Sequence, residues 1–116
     1  MLRGVIFMAL VLCSAVIADE KYSDKYDYID VDGILANPRQ RDSYYACFAG
    51  TGPCKTAAAK FFRDTLPEAI VTKCRKCTAR QSINFDKISD WYTTNDLEKY
   101  QIIVAKAVRD LMAKSA

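Results

Sequence analysis

All-α is the fold class this sequence predicts, and three observations predict it. No segment alternates apolar and polar residues with the period of two that a half-buried strand needs. Apolar residues recur instead at three- and four-residue spacing in two long stretches, Phe62, Leu66, Ile70 and then Leu97, Tyr100, Val104, Ala107, Val108, Leu111. Breakers are scarce, with four glycines and three prolines in 116 residues.

The elements follow in order. Residues 1–4 carry one positive charge, and residues 5–18 are apolar apart from Ser14, ending Val16-Ile17-Ala18 before Asp19-Glu20-Lys21. This is the layout of a secretory signal peptide with a cut after Ala18, and the run is too short for a membrane span of about 20 residues. The mature domain is then residues 19–116. Residues 19–28 are charged and aromatic without a core period and read as a tethered N-terminal arm. Asp30 or Asp32 caps a short first helix containing Ile34 and Leu35. Asn37-Pro38 ends it and opens the second, with Asn as cap and Pro in the first turn. The second helix carries Tyr44, Tyr45 and Phe48 and stops near Gly50, where Gly50-Thr51-Gly52-Pro53 marks a loop.

A third helix spans about residues 55–73. Pro67 falls inside it and either kinks one helix or starts another, for which Thr65 and Glu68 have capping-box spacing. The apolar stripe keeps its phase across the proline, which favours a single helix. A fourth, about 78–92, carries Phe85, Ile88, Trp91 and Tyr92. The fifth begins at Asn95, where Asn95 and Glu98 again have capping-box spacing, and Ile103 widens its stripe.

Composition excludes much chemistry. With no histidine there is no Ser-His-Asp or Cys-His catalytic arrangement and no His-ligated metal. A G-x-S-x-G elbow is also missing, so a small lipase is excluded and no catalytic residue is assigned. The net charge of +3 carries no long basic block, and nucleic acid is not an expected partner.

Cleavage removes Cys13 and leaves Cys47, Cys54, Cys74 and Cys77 in an oxidising compartment. Structural disulfides are the expectation. Four cysteines allow three pairings and spacing arithmetic does not choose among them, although the Gly-Thr-Gly-Pro turn brings Cys47 and Cys54 near each other. A zinc site is disfavoured by the wide first spacing, and a redox dithiol at Cys74-Arg75-Lys76-Cys77 lacks a βαβ context. No metal and no cofactor are expected.

The spacing Cys47-x6-Cys54-x19-Cys74-x2-Cys77 resembles the four-cysteine signature of the insect chemosensory proteins, the OS-D-like family of small secreted carriers. Further motifs stand in the same order: Tyr26-Asp27-Tyr28-Ile29-Asp30-Val31-Asp32-Gly33-Ile34-Leu35, Gly52-Pro53-Cys54, Leu66-Pro67-Glu68-Ala69-Ile70, and Cys74-Arg75-Lys76-Cys77-Thr78 followed by Gln81. The resemblance covers about residues 22–92. It implies a compact bundle of five to six short helices around an apolar channel, with Cys47 paired to Cys54 and Cys74 to Cys77. It also implies a non-catalytic carrier of long-chain alcohols, esters, fatty acids and other semiochemicals. Tyr26 and Tyr44 match channel-facing family positions, and Tyr100 takes the place of a family Trp in the fifth helix. Phe48, Phe62, Leu66, Ile70, Ile88, Trp91 and Val104 complete the expected ligand-binding set.

Where the family continues with a Tyr-Asp-Pro-x-Gly-x-Tyr stretch and a sixth helix, this chain reads Ala105-Lys106-Ala107-Val108-Arg109-Asp110. The channel is accordingly expected to be shorter, more open, or closed by a longer fifth helix. Burying about ten methylenes yields about 8 kcal/mol before association costs, so a small hydrophobic ligand needs no strong polar contact. The expected state is an extracellular monomer without stable membrane insertion. The rival expectation is a secreted interaction or developmental factor with no usable cavity.

Overall fold

The computed structural model describes residues 20–115, so the expected signal peptide lies outside the described residues. Five helices follow one another: α1 (Val31–Ala36), α2 (Pro38–Ala49), α3 (Ala57–Thr72), α4 (Ala79–Asn95) and α5 (Leu97–Ser115). The described residues contain no strand. Two local disulfides, Cys47–Cys54 and Cys74–Cys77, close the loops after α2 and α3 with Cα–Cα distances of 4.8 and 5.2 Å. Among the described residues no helix is long and apolar enough to cross a membrane.

Local chemistry sets the boundaries. The Asp30 carboxylate accepts from the Gly33 N–H and starts α1, and Asn37 accepts from Arg39 and Gln40 with Pro38 behind it to start α2. Gly50 ends α2 at φ 76°, a left-handed residue that returns its N–H to the last turn. Thr56 caps α3 through the Ala59 N–H. Thr78 caps α4 in a reciprocal box, its hydroxyl accepting from Gln81 N–H while the Gln81 side chain accepts from Thr78 N–H.

One open alternative is decided as favoured, and one expected cap is corrected. Thr65 does not open a new helix at Pro67, because its hydroxyl donates to the Phe61 carbonyl at 2.9 Å and α3 runs through the proline unbroken. The fifth helix is capped by Asp96 rather than Asn95: the Asp96 carboxylate accepts from Lys99 N–H at 3.2 Å. Asn95 instead finishes α4, which runs three residues beyond the expected Tyr92, and its amide donates to the Trp91 carbonyl.

Packing builds one core. α5 lies chiefly along α3, and α1 bridges α2 and α4. Phe62 on α3, Phe85, Ile88 and Tyr92 on α4, Phe48 on α2 and Ile103 on α5 are all buried and meet in the middle. The N-terminal arm is tethered as expected. The Tyr22 N–H donates to the Lys76 carbonyl and its hydroxyl donates to Glu68, both at 2.8 Å. The Gln81 amide donates to Ser23 O at 2.7 Å, and Thr78 donates to Asp27 at 2.8 Å. The arm thus clasps the end of α3 to the start of α4.

Candidate functional site: an apolar cavity and a groove behind it

Val31, Ile34 and Leu35 of α1 form one wall of an internal cavity. Arg41, Tyr44 and Phe48 of α2 form the second, Phe62 of α3 the floor, and Ile88 and Tyr92 of α4 the third wall. Its free volume is about 20 Å³. That is room for about one water molecule, so side chains fill the space that an alkyl tail would occupy.

The mouth is organised by Arg41. Its guanidinium donates to the Leu35 carbonyl at 2.9 Å and lies 4.3 Å over the Trp91 ring. Trp91 stands edge-on to Tyr92, with ring centroids 4.8 Å apart. Burial pushes the Tyr92 phenol up to about 12, with the nearby Arg41 cation opposing and Asp42, Tyr45 and Asp96 adding to the rise. At neutral pH this wall is therefore an uncharged ring.

Behind Phe62 lies a second space of about 470 Å³, lined by Ala69, Ile70, Lys73 and Cys74, by Ser82, Phe85, Asp86 and Ser89 of α4, and by Tyr100 of α5. Its lining mixes polar and apolar groups, and the Tyr100 hydroxyl donates to Ser89 Oγ at 3.4 Å. Phe62 lines the first space and Phe85 the second, and their rings meet edge to face with centroids 6.0 Å apart. This aromatic pair is the partition between them.

The residues named from sequence therefore divide. Tyr44, Phe48, Phe62 and Ile88 come together in the cavity, and Ile70 and Tyr100 in the groove. Leu66 is buried and Val104 half-buried, and neither borders either space. Tyr26 belongs to the arm, its ring 5.1 Å from that of Phe61. Trp91 caps Arg41 from outside, and Tyr92, one residue on, is the ring that lines the cavity. Sequence reasoning missed Val31, Ile34, Leu35, Arg41 and Tyr92 as lining residues. Tyr92 stood on the same stripe as Ile88, four residues away, which was the available signal.

Polar residues also face inward on α4. Gln81 is satisfied by Ser23 and by the capping box. Asn84 is fully buried, and neither its amide nitrogen nor its oxygen has a hydrogen-bond partner. Outside the cavity, Glu68 anchors the arm. Burial pushes its carboxyl up, but hydrogen bonds from Thr72, Tyr22 and the backbone N–H groups of Arg75 and Lys76 outweigh that and hold it below its ordinary value. Burial and the Glu68 carboxylate push the Tyr22 phenol far above its ordinary value.

Comparison with known proteins gives a consistent answer. The sequence profile described as "Insect pheromone-binding family, A10/OS-D" matches residues 22–114. Ejaculatory bulb-specific protein 3 of Drosophila melanogaster is 36% identical over 91% of this chain and 81% of its own. The putative odorant-binding protein A10 of the same fly is 42% identical over 61% of this chain and 45% of its own. A solved structure of a chemosensory protein in complex with bromo-dodecanol superposes with a TM-score of 0.69 at 34% identity, covering 75% of this chain and 86% of the other. With most of its described length matched, this chain belongs to the insect A10/OS-D pheromone-binding family, a family of carriers and not of enzymes.

Proposed function

We propose that this chain is a secreted carrier that takes up a single long-chain ligand, an alcohol, ester or fatty acid, in the space now divided by Phe62 and Phe85. The observation that carries the reading is that partition. An apolar cavity and a larger groove lie on either side of one edge-to-face ring pair. On this reading, rotation of the two phenylalanine side chains joins them into one channel. The bromo-dodecanol bound by the related chemosensory protein has the shape this channel would accept.

Energetics agree with loose selectivity. About ten buried methylenes are worth about 8 kcal/mol before the costs of ring movement and association, so ten methylenes alone give micromolar affinity at best and longer chains bind more tightly. One methylene more or less changes affinity only modestly. Displacement of a hydrophobic fluorescent probe by C12–C18 alcohols and fatty acids is the test, and no displacement at tens of micromolar ligand would refute the carrier reading.

A second reading rests on the outer face of α5, where Ile102, Val108 and Met112 are exposed. A secreted interaction factor would use such a stripe. Native mass spectrometry of protein purified from its fluid separates the two, with retained lipid supporting the carrier and a protein partner without lipid supporting the factor.

A further inference from the structure

Asn84 poses a problem that the carrier reading leaves unanswered. Its side chain is fully buried, yet one donor group and one acceptor group there are unpartnered. Buried amides are nearly always satisfied, and leaving one unmade costs more than an apolar residue of the same shape would. Neighbouring polar groups on the same helix are matched: Thr78 with Asp27, and Gln81 with Ser23.

The position of Asn84 suggests what would satisfy it. It lies four residues before Ile88, hence on the same side of α4 and about 6 Å along the axis. Helical side chains lean towards the N-terminus, so the Ile88 side chain overhangs the turn that Asn84 occupies. Ile88 lines the cavity, and Phe85, the residue after Asn84, forms the partition with Phe62. A ligand that parts Phe62 from Phe85 and passes Ile88 comes beside the turn that holds this amide.

We infer that Asn84 is the polar anchor of the ligand site and makes the protein selective for a head group that both donates and accepts one hydrogen bond, a primary alcohol above all. This rests on the carrier reading and adds to it a specificity-determining residue. A hydroxyl accepts from the Asn84 amide nitrogen and donates to its oxygen, closing both unmade bonds at once. An ester or ether only accepts and leaves the oxygen unpaired. A carboxylate must in addition be buried as a charge with one donor to meet it.

The test compares dodecanol with its isomer undecyl methyl ether, which has the same atoms but no donor, by displacement of a hydrophobic fluorescent probe. Wild-type protein should prefer the alcohol about tenfold, the worth of about one buried hydrogen bond. Asn84→Leu, close in size and apolar, should bring the two ligands within about twofold, each read against that variant's own affinity for the probe. Asn84→Ala gives the same comparison if the leucine variant does not fold. Equal affinity of the wild type for alcohol and ether, as expected if the amide holds an internal water instead, would overturn the inference but leave the carrier reading intact. So would an alcohol preference that survives Asn84→Leu. If neither ligand displaces the probe from wild-type protein, the carrier reading falls and this inference falls with it.

Discussion

Replacing Phe85 with alanine removes the partition and tests whether the cavity and the groove serve one ligand. Phe85 is buried, and its ring meets Phe62 edge to face at 6.0 Å. Truncating a buried phenylalanine to alanine costs about 3–5 kcal/mol. Of this, about 1.5–3 kcal/mol is the lost transfer of the side chain itself, and the rest is mainly the unfilled space left behind. A ligand that fills that space recovers the second part, about 1–2 kcal/mol, which is about 5–30-fold in affinity. The gain should depend on chain length. A short alcohol that stays within the cavity would gain little, whereas a C16 alcohol that crosses into the groove would gain the full factor. Urea unfolding with and without ligand gives the stability change, and probe displacement across C8–C18 alcohols gives the length profile. A variant that loses the expected stability yet shows an unchanged profile would refute the joined channel, because the space opened by the mutation would then lie off the ligand's path.

Four further predictions concern the site and the frame around it. Tyr22→Phe should destabilise the protein by about 1–2 kcal/mol in urea unfolding and raise hydrogen exchange in the arm, because a hydrogen bond to the charged Glu68 is lost. Since Glu68 is held below its ordinary value, its contribution is present above that value and fades as pH falls through the folded one. The difference between wild type and Glu68→Gln should accordingly shrink in acid. Tyr92 behaves in the opposite sense. With its phenol at about 12 against an ordinary 10, its stabilisation is complete below pH 10 and lost between 10 and 12, and spectrophotometric titration should find this phenol ionising late. Lys73 ends α3 at φ 56°, a left-handed conformation that disfavours any side chain, so Lys73→Gly should raise stability by about 0.5–1 kcal/mol in thermal unfolding.

How much of this was legible in the sequence depends on the range of the interaction. Asn37, Gly50 and Thr78 mark their helix ends correctly because a cap is decided by atoms within four residues. Asn95 failed as a cap for the same locality: Asp96 beside it is as good a cap, and only the packing of α4 against α5 decides which one turns. Trp91 and Tyr92 show the limit of a periodic pattern. Adjacent helical residues point about 100° apart, and a stripe broad enough to contain both does not say which faces the cavity. Tyr26 drew its expected role from a family position, whereas here its ring lies against Phe61. Asn84 was invisible, since an asparagine on a helix reads as solvent-facing unless the fold buries it. The volume of the cavity was equally out of reach, being set by how ten or so side chains from four helices interdigitate.

The C-terminal departure from the family pattern bears on where a ligand would enter. Residues 97–115 form one helix, and Ile103 and Ala107 press its inner face onto the core. Of the three alternatives expected for the channel, the third is present only in part: the fifth helix is long. It does not seal the groove, because Tyr100 stands at the groove's edge bonded to Ser89, while the rest of α5 is occupied with α3 and, through Lys106, with the turn at Gly50. The mouth at Arg41 is held by two contacts, a carbonyl and an indole face, and a ligand passing there must break both. On the proposed reading, entry through the groove requires that the Phe62 and Phe85 rings part. The polar lining of that side then meets water, and the ligand's tail advances towards the apolar wall of α1. A wide, polar approach leading to a narrow, apolar end is the arrangement that admits a flexible amphiphile tail first. In that orientation the head group trails in the groove, whereas an anchor at Asn84 draws it past the partition. Which end of a bound alcohol lies beside Phe85 is therefore the measurement that joins the two, and a terminal bromine on the ligand would report it directly by anomalous scattering.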